Sequence, residues 1–282
     1  MIVIADPAEM QMIARGWRAQ GCKIALVPTM GYFHKGHLSL MEYGRKVGDK
    51  LAVSLFVNPT QFGPAEDLDR YPRDLKRDIT LAREAGVDVL FTPAAEQMYP
   101  AGYQTFVTVE EVSQGLCGAS RPGHFRGVAT VVLKLFNIVM PHVAVFGEKD
   151  YQQLVVVKRM VADLNLPIEV VGRPIVREED GLAMSSRNTY LNPEERRAAL
   201  CLYRALQEAQ GLMSARKSHR DEILAAVRRV ISQTPHTRID YLALVDPETL
   251  KEVDAVRGSA RLALAVWVGH TRLIDNCLLV EL

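Results

Sequence analysis

The sequence contains no stretch of the roughly 20 apolar residues that a membrane-crossing helix needs, so no membrane role is expected. Cysteine is sparse: 4 in 282 residues, at Cys22, Cys117, Cys201 and Cys277, with no Cys-x-x-Cys pair. That scatter reads as free thiols in a reducing cytoplasm. Neither sign of charge dominates. The 34 Lys and Arg nearly balance 33 Asp and Glu, for a net charge of +1, which argues against nucleic acid as the main partner. The first residues, Met1-Ile2-Val3-Ile4-Ala5-Asp6, lack a basic region followed by a long apolar one, so no signal peptide is expected. Several motifs are missing. There is no Gly-x-x-x-x-Gly-Lys-Ser/Thr, no Gly-x-Gly-x-x-Gly and no His-Glu-x-x-His. No Ser or Cys stands in the setting of an activated nucleophile. Repeats and low-complexity tracts are absent as well.

The remaining composition is ordinary, 48% hydrophobic and 24% charged, and the length suits one large or two modest domains. Apolar runs at 24–27, 51–57, 87–91, 143–146 and 168–171 have the length of buried strands. Segment 104–109 is a further strand candidate. Helical patterns occupy 7–20, 38–47, 74–85, 128–140 and 151–164, several of them closed by Gly or Pro. Alternation of this kind predicts an α/β fold, a Rossmann-like doubly wound parallel sheet over residues 1–175. From 176 to 282 the pattern changes. Asn192-Pro193-Glu194-Glu195 is a helix start, a second helix covers 221–231, and strands follow at 241–245, 262–268 and 273–280. A smaller C-terminal α+β domain is predicted there, closing over the site.

Open parallel sheets bind ligands past the carboxyl ends of their strands. The loops at 28–37, 58–63 and 147–150 are therefore the candidate site. In the first, His34 and His37 flank Gly36 between a strand and a helix N-terminus, a place that attracts phosphate. Gly36 leaves room for a ligand, and the two imidazoles are positioned to stabilise moving phosphate charge. Lys149, in Gly147-Glu148-Lys149-Asp150, reads as a point charge for phosphate, with Asp150 as a helix cap or a sugar-hydroxyl partner. Ser185, Ser186 and Arg187 combine two hydroxyls with a guanidinium, a phosphate-binding set. They follow Arg177-Glu178-Glu179-Asp180-Gly181, which reads as a mobile segment that closes on a ligand. Gln61 and Gln153 are neutral hydrogen bonders that suit a hydroxy-acid or amide substrate.

His34-Lys35-Gly36-His37 with Met184-Ser185-Ser186-Arg187 resembles the two signatures of the nucleotidyltransferase superfamily. The likeness narrows through Pro28-Thr29-Met30-Gly31, Asn58-Pro59-Thr60-Gln61-Phe62, Arg70-Tyr71-Pro72-Arg73, Arg121-Pro122-Gly123-His124-Phe125, Phe146-Gly147-Glu148-Lys149-Asp150-Tyr151-Gln152-Gln153 and Asp180-Gly181-Leu182-Ala183-Met184-Ser185-Ser186-Arg187-Asn188. Together these resemble the pantoate–β-alanine ligase family. The resemblance implies condensation of D-pantoate with β-alanine, using ATP and Mg²⁺, through a pantoyl adenylate. It implies catalytic roles for His34, His37, Lys149, Ser185, Ser186 and Arg187. It implies an ATP site that also takes in Met30, Gly31, Gly36, Gly147, Glu148, Asp150, Val176 and Met184, and a pantoate site at Gln61 and Gln153. Some relatives carry more acid at the segment matching Lys76-Arg77-Asp78, where it helps hold Mg²⁺. Here Asp78 is the one candidate metal ligand, and Mg²⁺ is expected mainly on the ATP phosphates. A cytoplasmic homodimer is implied as well. Two other readings compete: transfer of AMP to a phosphorylated acceptor, and a nucleotide- or RNA-binding module without catalysis.

Overall fold

Near-continuous apolar runs become the central strands of the protein. The computed structural model describes residues 1–64 and 66–281. In chain order they form β1 (Ile2–Ile4), α1 (Pro7–Ala19), β2 (Ile24–Thr29), α2 (Lys35–Val47), β3 (Lys50–Leu55), a 3-10 turn (Pro59–Gln61), α3 (Leu75–Glu84), β4 (Val89–Phe91), α4 (Ala95–Met98), α5 (Cys117–Ser120), α6 (His124–Val139), β5 (Val143–Gly147), a 3-10 turn (Glu148–Asp150), α7 (Tyr151–Asp163) and β6 (Glu169–Arg173). There follow a 3-10 turn (Ser186–Tyr190), α8 (Pro193–Ala198), α9 (Leu200–Ser214), α10 (Arg220–Ser232), β7 (Thr237–Val245), β8 (Ser259–Val268) and β9 (Thr271–Val280). No helix among the described residues is long and apolar enough to cross a membrane.

Two compact units emerge. The first comprises Met1–Glu110, Arg121–Glu148 and Gln153–Pro174; the second comprises Glu111–Ser120, Lys149–Gln152 and the chain from Ile175 onward. The division is thus not the contiguous one expected from the pattern change near Val176. Two short segments of the earlier chain, 111–120 and 149–152, pack with the C-terminal part.

The first unit is built on a six-stranded sheet of order β1-β4-β3-β2-β5-β6, with all pairs parallel. After β2 the chain runs outward through β3 and β4; with β5 it returns to the other side of β2. That reversal is the switch point of a doubly wound sheet. Ala25 pairs with Val143 and Leu26 with Ala144, so the loops after β2 and β5 leave the sheet side by side. Ile24, Leu26, Val27, Leu51, Val53, Val143 and Val145 are buried, as strands covered on both faces by helices must be. On one face, α2 and α3 close a core around Met41, Phe33, Leu51 and Leu90. The second unit packs α9 and α10 on the antiparallel sheet β7-β8-β9 through Leu202, Leu206, Ile223, Val227, Leu262 and Leu264.

Several expectations change. β1 has no counterpart in the pattern reading; three residues are too few to show alternation, and it exists only as a partner for β4. Segment 104–109 is not a strand. Its Val107 amide donates to Thr130 Oγ1 at 2.9 Å, a side-chain partner rather than a strand. α2 begins three residues before Leu38, at Lys35, and α6 begins at His124 rather than Val128. The helix starting at Asn192 breaks at Ala199 into α8 and α9.

One close approach fixes how α6 meets the site. A Cβ at Gly127 would lie 2.3 Å from the Thr60 carbonyl oxygen and 2.7 Å from the Gln61 amide nitrogen. Only glycine lets the turn at 59–61 rest on this helix. Gly127→Ala is expected to lower the unfolding free energy by roughly 1–3 kcal/mol, the usual cost of overpacking, measured by urea denaturation.

Candidate active site

The N-terminus of α2 is capped by imidazoles. The Gly36 amide donates to His34 Nδ1 at 3.1 Å, and the His34 amide donates to His37 Nδ1 at 3.3 Å. The two rings lie 4.0 Å apart, centroid to centroid. This is a capping box with histidine in both roles, where Ser or Thr with Glu is usual. An Nδ1 that accepts a hydrogen bond carries no proton, so each neutral ring bears its proton on Nε2. The cap therefore selects one tautomer for both residues, with the proton on the far edge of the ring. Backbone amides and the helix dipole add positive potential at the same point.

The loop between β2 and this cap is held in an unusual shape. Gly31 and Tyr32 have φ of 84° and 52°, the left-handed region that costs a non-glycine residue of order 1–3 kcal/mol. Asp78, in α3, supplies the restraint: its two carboxylate oxygens accept from the Tyr32 amide at 2.6 Å and the Phe33 amide at 2.7 Å. Burial pushes the Asp78 carboxyl above its ordinary pKa, and the two amides work against that rise. Asp78 was the one candidate metal ligand in the sequence, with Mg²⁺ expected mainly on the ATP phosphates. Asp78 is instead committed to the backbone of the Met30-Gly31-Tyr32 loop. Among the described residues no group of three His, Cys, Asp or Glu is placed to hold a metal ion.

Gln61 is oriented by a buried hub at Asn58, which is 1% exposed. Asn58 Nδ2 donates to Gln61 Oε1 at 3.1 Å and to the Gly127 carbonyl at 3.2 Å. Its Oδ1 accepts from Tyr99 Oη at 2.8 Å and Thr60 Oγ1 at 2.9 Å. Burial pushes the Tyr99 hydroxyl up to about 12, so it stays a donor. Because Gln61 Oε1 is taken as an acceptor, its amide nitrogen faces Met30 Sδ, 3.1 Å away. The Gln61 carbonyl is gripped too, by His124 Nδ1 at 2.8 Å and Arg121 at 3.3 Å. Arg121 makes a two-pronged pair with Glu66 at 2.7 and 2.6 Å. Burial opposes the charge on Glu66, but Arg121's bonds and charge hold its carboxyl below the usual range. Arg121-Pro122-Gly123-His124 reads from sequence as a basic loop; here it is a clamp on Gln61. Gln153, Gly147 and Glu148 belong to the same unit, Gln153 half-buried in α7 and Gly147 ending β5.

The other candidates lie in the second unit. Lys149 Nζ is 3.7 Å from Asp150 Oδ2. Lys149 lines a cavity of about 10 Å³ with Ser185, Asn188 and Asp275. The segment expected to be mobile is a short hairpin: the Met184 amide donates to the Val176 carbonyl at 3.0 Å, and Glu178 pairs with Leu182 at 2.8 Å. Arg177 pins it to β9 through both oxygens of Asp275, at 2.6 and 2.9 Å. Arg196 pins its far side through Glu178 at 2.7 Å and Asp180 at 2.8 Å. Ser185 then caps the 3-10 turn that carries Ser186 and Arg187, its Oγ accepting from the Arg187 amide at 3.3 Å. The structure thus gathers Met30, Gly31, His34, Gly36, His37 and Gln61 in one unit, and Val176, Lys149, Asp150, Met184, Ser185, Ser186 and Arg187 in the other. Asn58, Tyr99, His124, Asp275 and Asn276 escaped sequence reasoning as individual site residues. For Asn58 the signals were its place after a strand and its membership of the Asn58-Pro59-Thr60-Gln61-Phe62 segment.

The sequence matches the family described as pantoate-beta-alanine ligase over residues 2–278. It is 58% identical to a pantothenate synthetase of Geobacter sulfurreducens over 281 residues, covering 100% of this chain and 99% of the relative. Identity to the pantothenate synthetase of Moorella thermoacetica is 59% over 262 residues, 93% of each. The fold superposes on the crystal structure of pantothenate synthetase from Thermus thermophilus with a TM-score of 0.93 at 50% identity, covering 98% of this chain and 99% of that one. A pantoate-beta-alanine ligase from Francisella tularensis, solved with beta-gamma ATP and beta-alanine, gives 0.82 at 34% identity over 99% and 97%.

The capping Nδ1 of His34 and its outer Nε2–H are separable by substitution. Asparagine caps helices as well as any residue but offers no Nε2–H. His34→Asn is expected to keep its stability within about 0.5 kcal/mol, while His34→Ala loses about 1 kcal/mol. Both are expected to lose ATP-dependent turnover by on the order of 100-fold. Denaturation midpoints and turnover, measured on both variants, check this.

Proposed function

The chain belongs to the pantoate–β-alanine ligase family, and we propose that its site residues carry out that family's reaction as follows. The enzyme condenses D-pantoate with β-alanine at the expense of ATP. A pantoate carboxylate oxygen bonds to the α-phosphorus, and the bond from that phosphorus to the bridging oxygen breaks, releasing diphosphate. The β-alanine amine then attacks the acyl carbon of the pantoyl adenylate. The carbon–nitrogen bond forms, a proton leaves the amine, and AMP departs. Neither step needs a covalent enzyme intermediate, which suits a chain without an activated nucleophile.

The imidazole cap on α2 is the observation that carries this reading. His34 and His37 cap a helix N-terminus with their Nδ1 atoms, at the place where the phosphates of ATP would gain negative charge as diphosphate leaves. Rings held by a cap need no reorganisation during the reaction. Lys149 neutralises charge on the α- and β-phosphates, and Ser185, Ser186 and Arg187 hold the triphosphate. Met30, Gly31, Gly36, Gly147, Glu148, Asp150, Val176 and Met184 shape the nucleotide site. Gln61 and Gln153 hold the hydroxyls and carboxylate of pantoate. Both Asp78 oxygens accept from backbone amides, which favours Mg²⁺ held by the nucleotide's own phosphates, where it would offset their charge. The reading includes the homodimer and the cytoplasmic location; four free cysteines among the described residues suit a reducing compartment.

Transfer of AMP to a phosphorylated acceptor fits less well. A phosphate acceptor calls for unspent positive charge beside Gln61. The cation there, Arg121, is committed to Glu66 at 2.6 Å.

Two measurements test the reading. Diphosphate release from ATP should depend on D-pantoate and proceed without β-alanine; adding β-alanine should then yield pantothenate and AMP. Release that ignores pantoate would sink the substrate assignment. Gln61→Ala should raise the KM for pantoate at least about tenfold, as a site deprived of its hydrogen-bond partner does, with the KM for ATP nearly unchanged. Equal rises in both would remove Gln61 from the pantoate site.

A further inference from the structure

Lys149 sits on a short turn, and a four-carbon side chain is only as well placed as the backbone beneath it. In this fold that backbone is held by β9. Asn276 Nδ2 donates to the Lys149 carbonyl at 3.0 Å. The orientation of the Asn276 amide is decided by Arg261, whose guanidinium donates to Asn276 Oδ1 at 3.0 Å. Arginine has no acceptor, so Asn276 must turn its oxygen to Arg261 and its nitrogen to Lys149. Arg261 also lies over the Tyr151 ring, 3.7 Å from the centroid, and Tyr151 Oη donates to the Pro247 carbonyl at 3.0 Å. The chain is thus held at Lys149 and again two residues later at Tyr151.

This clamp is buried and rigidly mounted. Asn276 is 3% and Arg261 7% exposed. Register pairs Arg261 with Leu278 and Ala263 with Asn276, which puts Arg261 and Asn276 on one face as diagonal neighbours. The alternate residues Leu262 and Leu264 belong to the helical core. A buried Asn and Arg are costly to keep in a sheet. The adjacent Asp275 accepts from the Asn276 amide at 2.8 Å and anchors the Ser185 hairpin through Arg177. Two successive residues of β9 therefore hold Lys149 and the hairpin that leads to Ser185.

We infer that Asn276, oriented by Arg261, is a positioning residue for Lys149, setting its ammonium group for adenylate formation without touching substrate. This rests on the phosphate role of Lys149 given above. A misplacement of about 1 Å at such a group costs on the order of 100-fold.

The test is a double-mutant comparison on diphosphate release. Asn276→Ser and Arg261→Lys are made alone and combined with Lys149→Ala; Arg261→Lys keeps the charge and removes the planar fork. Each single variant should lose at least about tenfold in kcat, with the KM for pantoate unchanged. In the Lys149→Ala background, the same changes should cost nothing further, because the group they position is gone. Full additivity in that background would overturn the inference, as would single variants within about twofold of wild type while Lys149→Ala is inactive. Should Asn276→Ser fail to fold, by thermal unfolding, Arg261→Lys decides alone. Wild-type turnover by Lys149→Ala itself would instead remove the Lys149 role, and the inference with it.

Discussion

The Gly36 amide needs an acceptor, because the first amides of any helix have no partner within it. In α2 that acceptor is His34 Nδ1, and the amide of His34 itself is taken by His37 Nδ1. Much follows from these two hydrogen bonds. They set the tautomer of both rings and hold them 4.0 Å apart. They start the helix at Lys35, at the point where the sheet reverses direction. A group that merely waited for phosphate would have to be ordered when ATP arrives; these two are ordered by the fold. The rings that cap α2 are thus the same two that the proposed reaction sets against phosphate.

Charge elsewhere near the candidate residues is mostly committed. Asp78 is spent on the amides of Tyr32 and Phe33, Glu66 on Arg121, and Asp275 on Arg177. Each pair fixes a loop or turn that carries a proposed site residue. What faces pantoate in the proposed reaction is then neutral: the Gln61 amide, whose direction is decided by Asn58. Neutral donors and acceptors discriminate by geometry, and a buried amide left unpaired by the wrong ligand is penalised.

Much of the fold was legible in the chain because its signals are local. The apolar runs of β2, β3 and β5 could only be strands buried on two faces, and Asn192-Pro193 could only open a helix. His34 and His37 were readable from their place between a strand and a helix. The long-range partnerships were not. Asp78 looks like a lone acid on a helix, and nothing in Lys76-Arg77-Asp78 says that its oxygens meet backbone amides some 45 residues earlier. Gln104 to Val109 has strand propensity, but propensity yields to tertiary context, and the Val107 amide goes to the Thr130 hydroxyl.

Residue type and local spacing were enough for the α/β class and the family, since each depends on neighbours within a few positions. Orientation was left to the tertiary structure. The side on which Asn58 turns its nitrogen, the ring edge on which His34 keeps its proton and the strand that steadies Lys149 all depend on groups far away in the chain. Asn276 reaches Lys149 across 127 positions. No period or motif encodes such a contact; it exists only when β9 is laid beside β8 in a register that brings Arg261 and Asn276 onto one face.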